Sequence, residues 1–186
     1  MTDEMIIDLY WARSESAISE TAKKFGGYCF AIASNIVQNS EDAEECVNDA
    51  YHKAWQAIPP QRPLNLRLFL GKIIRNLSLN RYNERKAKRR GGDEMTLLLS
   101  ELEDCIPSGS TVEAEYESSR IAEAINACLR SIDSVKRIVF VRRYWYADSV
   151  KAIAGHFNMS ESKVTSMLHR TRKALKAHLE QEGVTL

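Results

Sequence analysis

Eight residues near the C-terminal end carry the side chains with the clearest chemistry. They are Ser162, Lys163, Thr165, Ser166, His169, Arg170, Arg172 and Lys173. Val164, Leu168, Thr171 and Leu175 recur at helical spacing and make a buried stripe. The eight fall on the outer face that this stripe leaves. Short hydroxyls allow close approach to base edges and phosphates, arginine can bond guanine through two hydrogen bonds, and lysine neutralises phosphate. This is the chemistry of nucleic-acid recognition, with no bond made or broken. An ordinary solvated helix face has a similar composition, so the elements that hold these residues must decide. His169 is open to both readings, a solvated imidazole or a DNA contact. His156 and His178 read as exposed and are assigned no role.

The preceding residues have the order of a helix-turn-helix between Tyr146 and Leu179. Ser149 is placed to cap a short helix carrying Val150, Ile153, Ala154 and Phe157. Ala154 supplies the small side chain that two crossing helices need. Asn158 suits the one turn residue that must take a positive φ. Met159 is expected to point back into the core, and Ser160 to cap the second helix. These intervals match a helix that lies in the DNA major groove.

Upstream the chain also reads as helices. A short helix is expected from Asp3 to Trp11. Ile18, Ala22, Phe25, Cys29, Ile32 and Ile36 form one stripe through Gly26-Gly27. Asn39-Ser40 offers a cap, with Glu41 and Asp42 in the first turn where the helix dipole favours acids. The following stripe is Ala43, Val47, Ala50 and Ala54, widened by Tyr51, Trp55 and Ile58, and Pro59-Pro60 ends it. A third long helix should bury Leu66, Leu70, Ile73 and Leu77, run on through Arg81 and Arg85 to Arg90, and stop at Gly91-Gly92. Ile121, Ile125, Cys128 and Ile132 make a stripe in the second half, and Ile138 to Val141 belongs to a further helix reaching Tyr144-Trp145-Tyr146. The fold class is all-α: two small helical domains joined by an acidic linker.

Charge follows the same division. The net charge of the 186 residues is only +1, yet residues 67–90 hold nine Lys or Arg against one Glu, and residues 163–178 hold five Lys or Arg and no acid. Between them, residues 91–123 hold nine Asp or Glu against one Arg. Two basic segments flanking an acidic one point to a polyanion partner. Residues 91–113 read as the linker, although Met95, Leu97, Leu98, Leu99 and Leu102 give it an apolar cluster able to dock. Cys29, Cys46, Cys105 and Cys128 form no CxxC pair and have no histidine at zinc-ligand spacing, so they read as reduced thiols, with no metal and no cofactor. No signal segment or apolar run of membrane-spanning length is present, which is read as a cytoplasmic protein without direct membrane insertion. No Gly-rich phosphate loop or Ser/His/Asp set stands out, so an enzyme is not expected.

Three segments together carry a family resemblance. Asp42-Ala43-Glu44-Glu45-Cys46-Val47-Asn48-Asp49-Ala50-Tyr51, followed by Trp55, resembles the D-A-E-D-x-V-Q-E-x-F helix of bacterial sigma factors of the extracytoplasmic-function class. Phe69-Leu70-Gly71-Lys72-Ile73-Ile74-Arg75-Asn76 is similar to that class's W-L-x-x-I-A-R-N. Residues Val150 to Arg172 are similar to its C-terminal pattern E-I-A … S-x-x-T-V-x-S-x-L-x-R-A-R. Asn48-Asp49 replaces Gln-Glu, Phe69 replaces Trp, Ala152 replaces Glu, Lys163 replaces Thr and Thr171 replaces Ala.

The resemblance implies three parts. Residues 1–90 would be region 2, 91–114 the acidic linker and 115–186 region 4. Asp42, Glu45, Asn48 and Asp49 would bind core RNA polymerase. Lys72, Arg75, Asn76, Asn80, Arg81 and Arg85, with the loop from Pro59 to Asn65, would bind and open the minus-10 element. The eight residues from Ser162 to Lys173 would read the minus-35 element. The linker would thread channels otherwise used by RNA, and an anti-sigma partner is implied. A conventional helix-turn-helix regulator is the competing reading. It has no need of both the Asp42–Trp55 helix and the basic helix after it.

Overall fold

The computed structural model describes residues 1–86, 94–103 and 114–184, and every regular element among them is a helix. The chain divides into two compact units, Met1–Gly91 and Gly92–Leu186. The Lys88–Gly92 end of the expected third helix, Cys105 and the Pro107–Ser110 stretch lie outside the described residues.

The first unit begins with α1 (Asp3–Trp11), capped by the Thr2 hydroxyl and carrying Asp3 and Glu4 in its first turn. Its buried Ile6, Ile7 and Tyr10 pack on α2 (Ser16–Val37), which runs unbroken through Gly26-Gly27. The buried stripe of α2 is Ala17, Thr21, Phe25, Cys29, Ile32 and Ile36. In its first turns the buried face is therefore one residue away from Ile18 and Ala22, because Thr21 is drawn inward. Its hydroxyl donates to the Ala17 carbonyl at 2.7 Å and bonds the Tyr10 hydroxyl at 2.9 Å. A buried hydroxyl is stable when both ends are matched in this way.

Helix α3 (Ser40–Ala57) starts where expected, with the Asn39 carboxamide oxygen accepting the Asp42 N–H at 2.9 Å. It buries Ala43, Cys46, Val47, Ala50, Tyr51 and Ala54. Helix α4 (Leu66–Lys86) is opened by Asn65, whose side chain accepts the Leu68 N–H. Its buried line is Leu66, Leu70, Ile74, Ser78 and Tyr82. Ile73 and Leu77 are only half-buried. Adjacent isoleucines at 73 and 74 left the face ambiguous in the sequence, and packing against α2 and α3 selects the second. A methyl group at Gly71 would collide with the Tyr28 hydroxyl, so a larger residue here would force that ring to move. Arg67 covers the same Tyr28 ring at 4.6 Å. The fully buried Leu66, Leu70 and Ile74 each contribute about 1.5–3 kcal/mol through apolar burial.

The second unit contains α5 (Glu94–Glu103), α6 (Ala114–Ser131), α7 (Ser134–Tyr144), α8 (Val150–Phe157) and α9 (Glu161–Gln181). Its core joins Ala124, Cys128, Val139, Phe140, Tyr144, Ile153, Ala154, Val164, Leu168, Leu175 and Leu179. Ile121, Ile125 and Ile132 are half-buried at its edge. The α7–α8 turn is fastened by Arg143, 2 % exposed, whose Nη1 donates to the Asp148 carbonyl at 3.0 Å. Arg142 pairs with the Asp148 carboxylate at 2.8 Å.

The expected linker is thus partly structured. Glu94–Glu103 is a helix belonging to the second unit, with Met95 and Leu98 buried. Cys29, Cys46 and Cys128 are buried and unpaired. Burial disfavours the thiolate and pushes Cys29 up to about 11. Among the described residues no helix is long and apolar enough to cross a membrane.

Candidate nucleic-acid interface

The helix-turn-helix is assembled from local signals. The Ser149 hydroxyl accepts the Ala152 N–H at 3.0 Å and starts α8. Asn158 ends it in the left-handed region, at φ 50° and ψ 48°. That conformation lets the Met159 N–H reach the Ala154 carbonyl at 2.9 Å. Met159 itself is half-buried. The Ser160 hydroxyl then accepts the Lys163 N–H at 3.2 Å and starts α9. Val164, Leu168, Thr171, Leu175 and Leu179 turn inward.

The same rotation leaves Ser162, Lys163, Thr165, Ser166, His169, Arg170 and Lys173 exposed on α9. Thr165 donates its hydroxyl proton to the Glu161 carbonyl at 2.9 Å, so toward a ligand it can only accept. Arg172 is placed differently from the outer-face expectation. Its guanidinium donates to the Tyr144 hydroxyl and lies 3.2 Å from the Glu101 carboxylate, and its side chain is 19 % exposed. The reason is register: residue 172 lies one turn beyond Leu168, at the edge of the buried stripe. Tyr144 completes the cluster by donating to Glu101 at 2.7 Å. Burial, reinforced by the Glu101 charge, raises the Tyr144 hydroxyl well above the ordinary tyrosine range. This cluster fastens α5 to α7 and α9. The sequence held no sign of it, because Glu101 sat in what read as an acidic linker.

In the first unit, Lys72, Asn76 and Asn80 are exposed along α4, and Arg75 is half-buried. Burial lowers the Arg75 guanidinium from the ordinary arginine value. Arg81 and Arg85 are engaged across the helix pair, Arg81 with Glu45 and Arg85 with Asp42. The hydrogen bond that Arg81 donates to the Glu45 carboxylate holds its guanidinium above the usual arginine value. Two residues expected on polymerase therefore hold two expected on DNA. Glu45, Asn48 and Asp49 are exposed on α3, whereas Asp42 is half-buried.

A groove of about 530 Å³ lies where the end of α3 meets α4, lined by Lys53, Gln56, Ala57, Gln61, Phe69, Lys72, Ile73 and Asn76. Its two cations, three side-chain amides and one aromatic ring could stack a base and bond its edge. Gln61 belongs to the Pro59–Asn65 loop expected there, whereas Lys53 and Gln56 were not expected in this role, because only packing brings the end of α3 beside α4. A second groove, about 610 Å³, borders α9 in the other unit and includes Ser162, Lys163, Ser166 and Arg170.

Two helical units, one of them an exposed cationic helix-turn-helix and the other a basic helix packed on an acidic one, define a two-part nucleic-acid-binding protein. The family comparisons name both parts. Residues 22–89 match sigma-70 region 2, and residues 122–175 match sigma-70 region 4. Together these matches span about two thirds of the chain, in the family's order. The chain belongs to the sigma-70 family: it is an RNA polymerase sigma factor, which binds core polymerase and directs promoter-specific initiation of transcription. The family is not one of enzymes. The region 2 match sets aside the conventional regulator, which has no use for that part. No curated protein matches the chain. Among solved structures, that of CnrH in complex with the cytosolic domain of CnrY is similar, at 20% identity over 96% of this chain and 97% of that one, with a TM-score of 0.43.

Proposed function

We propose that this sigma factor is of the bacterial extracytoplasmic-function class, acts in the cytoplasm without catalysis of its own, and reads the minus-35 element with the outer face of α9. The observation that carries the reading is the exposed row of Ser162, Lys163, Thr165, Ser166, His169, Arg170 and Lys173 on the second helix of a helix-turn-helix. Short hydroxyls beside the three cations Lys163, Arg170 and Lys173 suit base edges in the major groove and the phosphates flanking it. Arg172 contributes by holding α9 to α5 and α7. A base contact from it would first have to break its bonds to Tyr144 and Glu101.

On this reading residues 1–90 act as region 2 and residues 115–186 as region 4, with the segment from 91 to 114 between them. Asp42, Glu45, Asn48 and Asp49 bind the polymerase, and Lys72, Arg75, Asn76 and Asn80 bind the minus-10 element. Arg81 and Arg85 join them by exchanging Glu45 and Asp42 for phosphate. Unstacking a base costs energy, and its capture in the groove beside Phe69, Lys72 and Asn76 offsets part of that cost. The acids between the regions, apart from the Glu101 that holds α5 to α7 and α9, mimic nucleic acid in a polymerase channel, and an anti-sigma protein holds the factor inactive, as the family resemblance implies.

Purified core polymerase supplemented with this chain tests the reading. Arg170→Ala and Lys163→Ala should each weaken promoter use by about 1–3 kcal/mol while leaving core binding unchanged. Loss of core binding, with promoter discrimination intact, would show that the α9 face has another partner.

A further inference from the structure

The groove beside α9 has a second wall that no contact assigned so far uses. It is the first turn of α7, where Lys136 and Asp133 face Lys163, Ser166 and Arg170 across the opening. We propose that Lys136 is a DNA-backbone contact, binding a phosphate of the strand that flanks α9. This deepens the minus-35 reading and rests on it.

The argument is geometric and electrostatic. A helix in the major groove has a phosphate chain on either side, and that groove is about 12 Å wide. An element packed alongside the reading helix therefore meets one of those chains. In other helix-turn-helix proteins, segments outside the two motif helices touch the backbone in this way. Lys136 is exposed, so its ammonium can swing to a phosphate. The groove collects Lys136, Lys163 and Arg170 against the single carboxylate of Asp133. That carboxylate is already committed: one oxygen accepts the Val135 and Lys136 N–H groups at 2.9 and 3.3 Å. The α7 helix end is thus occupied, and the site belongs to the lysine side chain. A phosphate contact fixes position and carries no base preference. Lys136 should therefore set affinity and docking angle, while Lys163 and Arg170 set sequence.

The experiment uses holoenzyme and a promoter duplex it has selected from a random-sequence library. Binding is measured from low to high salt for the native chain and for Lys136→Gln, Lys136→Arg and Lys23→Gln. Lys23, a 72 %-exposed residue of α2, provides the same charge change in the first unit. Lys136→Gln should weaken binding several-fold on every minus-35 sequence, and flatten the plot of log affinity against log salt by about 0.9. Lys136→Arg should restore both, and Lys23→Gln should change neither. An unaltered salt slope in Lys136→Gln, an equal loss in Lys23→Gln, or a change in base preference would overturn the proposal. Should Arg170→Ala and Lys163→Ala also leave binding and slope untouched, the minus-35 reading itself falls.

Discussion

Asn158 concentrates the geometry of the helix-turn-helix in one residue. Its left-handed backbone aims α9 away from α8 and brings the Met159 N–H to Ala154. Asparagine and glycine tolerate this conformation, whereas a β-branched side chain is strained there. Asn158→Val should destabilise the second unit by about 1–3 kcal/mol, and Asn158→Gly should be close to neutral. Hydrogen exchange of the α8 and α9 amides reads both, and equal protection in the two variants would count against a conformational role. This part of the site was legible in the sequence because its chemistry is local. Ser149, Asn158 and Ser160 each act on a backbone group within three or four residues. Arg172 was not legible, because its partners Tyr144 and Glu101 lie far away in the chain and only folding brings them together.

Among the elements, α5 departs most from expectation. Its apolar residues were visible in the sequence, but ten residues dense in acids show too little period to announce a helix. Met95 and Leu98 supply its burial, and Glu101 supplies its polar anchor. Hydrogen bonds to charged groups are worth about 1.5–3 kcal/mol. Glu101→Ala should therefore raise exchange at the α5 amides by about tenfold or more, since each 1.4 kcal/mol is a factor of ten. Unchanged exchange would mean that Met95 and Leu98 alone hold the helix. The α4 face was misjudged for a different reason. Ile73 and Ile74 are equally apolar, and hydropathy cannot choose between neighbours 100° apart on a helix; the α2 and α3 surfaces do.

For the whole molecule, the division into two compact units lets the groups that titrate in each be taken unit by unit. In the first unit the folded chain keeps the Cys29 thiol protonated up to about 11, against an ordinary value of 9.0. The stability that depends on this proton is complete below pH 9 and is lost as pH rises toward 11, because the unfolded chain ionises first. The loss is about 2–3 kcal/mol, and burial of Tyr51, pushed up to about 12, steepens it above pH 10. Urea unfolding of the native chain at pH 8 and pH 10 should show the fall, and Cys29→Ala should flatten it between pH 9 and 10. A parallel fall in both proteins would place its origin elsewhere. The contact between Gly71 and Tyr28 bears on the molecule's history. Any side chain at 71 meets the Tyr28 hydroxyl, on a ring that Arg67 also covers, so the ring would have to shift to admit it. Drift at one of these positions is therefore tied to the other, and descendants of this chain that lose the glycine should have shortened the tyrosine first.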